Sequence, residues 1–215
     1  MKKSNRKKPR ALVPVLLALL LALAGCGSQS KGGMYIQPTT LTEQEQAVAD
    51  LLGADTDQTL YDFVLAEGVQ SMQVNAYRLQ DGAWQRVVGG SRAFEDQSGR
   101  LALGFDRLAE GLRIAVQSEH QSGAERCDTE PEEDLAQMAM STVRLGERTD
   151  LAWDEELPLV LQIVTSQNEI RTGDTGLFFD PAALQAQGHE EVYAITVRFS
   201  QKTVAELDIA QKPAA

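Results

Sequence analysis

The chain has 215 residues, 43% of them hydrophobic and 24% charged, with 20 basic against 31 acidic side chains and a net charge of −11. Six of the basic residues lie in the first ten and no acid lies in the first 25, so the chain beyond residue 25 carries −17. So acidic a surface argues against nucleic acid, anionic lipid and anionic wall polymer as partners; it suits solubility, cationic partners or metal ions, and a plain solvated surface is the simplest account.

Lys2, Lys3, Arg6, Lys7, Lys8 and Arg10 form a basic head. Ala11 to Ala24 is then almost wholly apolar, broken only by Pro14. That run is about 14 residues, whereas a helix needs roughly 20 to cross a bilayer. A basic head, a short apolar core and small residues before a cut site describe a secretory signal. Leu23-Ala24-Gly25-Cys26 ends it and resembles the lipobox of bacterial lipoproteins. The resemblance implies that the Cys26 thiol receives a diacylglycerol and that a peptidase cuts before Cys26. The mature chain is then expected at the cell membrane, on its extracytoplasmic face, held by two or more acyl chains such as palmitate. Two chains anchor stably where one is marginal. Gly27 follows the cysteine, so the aspartate that retains some lipoproteins at an inner membrane is absent. The resemblance covers residues 1–27 and implies no activity. With Cys26 taken up by lipid, Cys127 is left alone and no intrachain disulfide forms.

Residues 26–40 are small and polar and read as a flexible tether, which leaves 41–215 as a single domain. Thr42 and Glu45 spell a capping box. Ala47, Val48, Leu51 and Leu52 follow as an apolar stripe and Gly53 as a stop, so a helix is expected over Thr42–Leu52. Period-2 alternation then takes over, first around Tyr61, Phe63 and Leu65 and next in Met72, Val74 and Ala76. Asp81-Gly82 between apolar runs is a strong hairpin signal. Asp96-Gln97-Ser98-Gly99 reads as a second hairpin turn, before Leu101, Leu103 and Phe105 and then Leu112, Ile114 and Val116. Leu157, Leu159, Leu161 and Ile163 are expected on one face of a strand, Tyr193, Ile195, Val197 and Phe199 on another, and Val204–Leu207 as a last short strand. Many short strands at intervals of about ten residues predict a mainly β fold, an antiparallel β-sandwich with one short N-terminal helix.

No motif past Cys26 names a reaction. The acidic run Asp128, Glu130, Glu132, Glu133 and Asp134 has the oxygens a Ca2+ site needs, but it matches no EF-hand loop and lacks the loop glycine. Thr129 with Glu132 gives the alternative, a capping box at a helix start. Asp55, Asp57 and Asp62 form a second oxygen-rich patch where a turn is the simpler account. Arg171 to Gly176 is a polar, glycine-bearing loop before Phe178-Phe179, without the lysine of a phosphate loop. Together with Trp84, the residues Asp174, Phe178 and Phe179 are the candidate ligand contacts, because binding favours loops on a rigid scaffold. Trp84 and Trp153 suit sugar stacking or, more simply, core packing. Cys127 needs a lowered pKa to act as a nucleophile; Arg126 favours that, Glu125 and Asp128 oppose it, and His120 is the nearest histidine in sequence. An enzyme reading falls on Asp174, Asp180, His189 and Glu190.

Three functions remain in view. A non-catalytic interaction or assembly module bound to another extracytoplasmic protein predicts an exposed apolar patch or a free sheet edge. A solute- or glycan-binding module predicts a loop-lined groove with aromatic rings showing. An enzyme needs ionisable groups converging in a pocket.

Overall fold

Residues with alternating burial build two sheets, and the sequence distance between neighbouring strands shows how the chain crosses between them. The computed structural model describes residues 33–51, 58–128, 138–167 and 173–211. They belong to one unit, Gly33–Ala215. The lipobox with Cys26 lies outside the described residues. Also outside are Leu52, Gly53, Asp55, Asp57, Thr129, Glu130, Glu132, Glu133, Asp134, Arg171 and Thr172.

The strands are β1 (Tyr35–Pro38), β2 (Gln58–Val64), β3 (Ser71–Gln80), β4 (Ala83–Ala93), β5 (Ser98–Gly104), β6 (Gly111–Ser118), β7 (Ser122–Asp128), β8 (Ala139–Arg144), β9 (Thr149–Asp150), β10 (Leu157–Thr165) and β11 (Glu191–Ser200). They form a six-stranded sheet of order β7-β6-β5-β2-β1-β9 and a five-stranded sheet of order β4-β3-β11-β10-β8. All the pairings are antiparallel. The expected mainly β, antiparallel sandwich is what forms. Its core lies between the sheets, with Ile36, Phe63, Leu101 and Ile114 from one side and Met72, Val74, Ile195 and Phe199 from the other. Phe63 is 5.1 Å from Phe199 and 5.5 Å from Phe94, ring centre to ring centre. The buried Tyr61 hydroxyl donates to the Leu159 carbonyl at 2.9 Å, and burial pushes its pKa far above the usual phenol range, so it remains a donor.

Several sequence expectations need correction. The helix is not N-terminal: β1 precedes α1 (Glu43–Leu51). The stretch read as tether therefore ends early, because Met34 and Ile36 are buried and β1 pairs with both β2 and β9. The capping box itself forms, with Thr42 N–H donating to Glu45 at 2.8 Å and Glu45 N–H donating to the Thr42 hydroxyl at 3.3 Å. Nor is α1 the single helix: α2 (Pro181–Ala186), α3 (Val204–Gln211) and a 3-10 turn (Thr175–Phe179) are present too. The last of the expected strands, Val204–Leu207, lies within α3, because Thr203 and Glu206 close a second capping box.

Asp81 and Gly82 take φ of 50° and 74° and join β3 to β4, as the hairpin reading requires. Asp96–Gly99 does not close a hairpin: β4 and β5 lie in different sheets, and the chain crosses between them with Phe94 fully buried. β10 departs from a one-faced strand through an irregularity between Pro158 and Val160. Leu159 and Val160 both enter the main core, and the alternation beyond them flips. Leu161 and Ile163 then belong to two smaller clusters. Gln162 is fully buried and ties down the β5–β6 connection, its Oε1 accepting from Leu108 N–H at 2.7 Å and its Nε2 donating to the Asp106 carbonyl at 2.9 Å.

Candidate functional site

The flip in β10 makes the outer side of the five-stranded sheet apolar, and the segment from Gly173 to Glu190 folds over it. Asp174 caps the 3-10 turn by accepting from Gly176 N–H at 2.8 Å. Asp180 caps α2 by accepting from Ala183 N–H at 3.0 Å, with Pro181 opening the helix. Phe178 packs with Leu161 and Ala194, and Leu184 with Ile163 and Val192.

The structure gathers the four candidate ligand contacts, Trp84, Asp174, Phe178 and Phe179, in this one place. The Trp84 ring stacks on Phe178 at 5.0 Å and 22°, and its Nε1–H donates to the Phe178 carbonyl at 2.8 Å. Phe178 is buried, and Asp174 is engaged as a cap. Asp174 and Phe179 face solvent; Phe179 is 66% exposed, with its ring edge-on to Phe178 at 5.4 Å. Trp153 packs against the main core, as its simpler reading requires.

The enzyme candidates separate. Asp174 and Asp180 serve as caps, while His189 and Glu190 line a cavity of about 400 Å3 beside the β3–β4 turn. Arg78, Asp81, Gln185 and Glu191 line it too. Arg78 donates through Nε and a terminal nitrogen to the two carboxylate oxygens of Glu191. Glu190 accepts from the Ser166 N–H at 3.0 Å and from the Ser166 hydroxyl. The Ser166 hydroxyl, then the Thr165 hydroxyl and the Ser166 N–H, bring its carboxyl down to about 2. His189 Nε2 lies 3.0 Å from Gln187 Oε1.

Compared with known proteins, the chain matches no family model, no curated protein and no solved structure. Its site is therefore read from its own geometry.

Asp128 is the one member of the acidic run within the described residues, and it accepts from Arg126 Nε at 2.6 Å. Asp62 accepts from Arg100 Nε at 2.9 Å. Among the described residues no three His, Cys, Asp or Glu side chains are placed to hold a metal ion. Cys127 is half-buried, and burial, then Glu125 and Asp128, push its thiol pKa upward, which opposes thiolate chemistry. His120 Nδ1 meets Asp96 at 2.7 Å.

Sequence reasoning missed Arg78, Asp81 and Glu191 as cavity residues. Asp81 signalled only its turn. Arg78 and Glu191 are 113 positions apart, and only the β3–β11 pairing brings them together.

A surface feature lies on the other sheet. In α1 no residue is buried. Val48 is 56% and Leu51 85% exposed, so these two residues of the apolar stripe face outward. Arg100 holds the helix to the sheet, reaching Glu45 at 3.2 Å while it also binds Asp62. Among the described residues no helix is long and apolar enough to cross a membrane.

Proposed function

We propose that this protein is a lipid-anchored extracytoplasmic lipoprotein, held to the membrane through Cys26, whose β-sandwich works as a non-catalytic docking or assembly module for another protein. The anchor rests on the basic head, the short apolar run and Leu23-Ala24-Gly25-Cys26. One observation carries the docking reading: Val48 and Leu51 of α1 are outside the core, on a helix begun by a capping box and tied to the sheet by Arg100. A helix with uncovered apolar residues is the pattern that helix-docking partners bury. Crosslinking of the anchored protein in its own cells tests it. The wild type should give a stoichiometric protein adduct. Val48→Gln and Leu51→Gln should weaken that adduct while leaving the melting temperature within about 2 °C, since exposed positions contribute little to stability. An adduct that survives both changes contradicts the reading.

A second reading, a solute-binding lipoprotein, is favoured by the cavity beside the β3–β4 turn, whose volume lies within the range of small-molecule sites. Phe179 is the exposed aromatic ring available to a glycan on the same side of the sandwich.

A further inference from the structure

We draw no further inference here: the strongest candidate, the side-chain cluster of Gln73, Asn75, Thr196 and Arg198 on the neighbouring strands β3 and β11, each with a buried polar atom that lacks a hydrogen-bond partner among the described residues, carries none, because those atoms are closed to solvent and nothing in the structure shows what would reach them.

Discussion

Ile36→Ala tests whether the domain begins at β1 or only after residue 40. Ile36 is fully buried, and its strand pairs with β2 on one side and β9 on the other. Truncating a buried isoleucine to alanine removes three carbons from a packed site and leaves a cavity, which costs about 2–5 kcal/mol. At about 3 kcal/mol, and with roughly 2–4 °C lost per kcal/mol in a domain of this size, the melting temperature should fall by about 6–12 °C. Gln37→Ala is the control, since alternate residues of a strand point to opposite faces and Gln37 is not buried. Thermal melts followed by circular dichroism measure both. A loss below about 2 °C for Ile36→Ala, or equal losses for the two variants, would refute the placement of β1 in the core.

Other positions give further expectations. Gly99→Ala places a Cβ 2.7 Å from both the Phe63 ring and the Gln117 carbonyl, so overpacking should lower stability by about 1–3 kcal/mol in a denaturant titration. Thr203→Ala removes the cap of α3 at a cost of about 1 kcal/mol, visible as faster amide exchange at Leu207, whose N–H donates to the Thr203 carbonyl. The Asp96–His120 pair gives a pH window. Asp96 raises the His120 pKa, so that contribution is complete below the ordinary histidine value and fades as pH rises through the higher folded one. Ser118 and then His120 lower the Asp96 pKa, so its contribution is present above the ordinary carboxyl value and fades as pH falls through the folded one. The melting-temperature gap between wild type and His120→Gln should therefore be widest near about pH 5–6 and narrow on both sides. A gap that does not change with pH would show that the pair contributes no charge interaction.

Features set by local chemistry were legible in the sequence. The Asp81-Gly82 turn was, because two adjacent residues must take positive φ and these two tolerate it. So was the inner face of β11, where Tyr193, Ile195, Val197 and Phe199 all reach the main core. The start of α1 was written in Thr42 and Glu45, but its burial was not: periodicity marks a stripe without saying what covers it. β1 has four residues, too few for alternation to stand out from a polar tether. In β10 the irregularity at Pro158 changes which face each later residue uses, and no alternation count records that. α3 escapes the strand reading of Val204–Leu207 because that reading rests on a turn at Gln201-Lys202 and leaves out the Thr203–Glu206 box that opens a helix. The candidate site was half legible. Trp84, Asp174, Phe178 and Phe179 were named and do meet, but that Trp84 and Phe178 would satisfy each other depended on tertiary packing.

The central claim is the lipid anchor, and mass spectrometry of the N-terminal peptide of the mature protein from its native membrane tests it most directly. The account predicts a chain that begins at Cys26 and carries a thioether-linked diacylglycerol, with Cys26→Ala either released from the membrane or left with its signal uncut. A mature chain that begins elsewhere, or an unmodified Cys26 in membrane-bound protein, would contradict it.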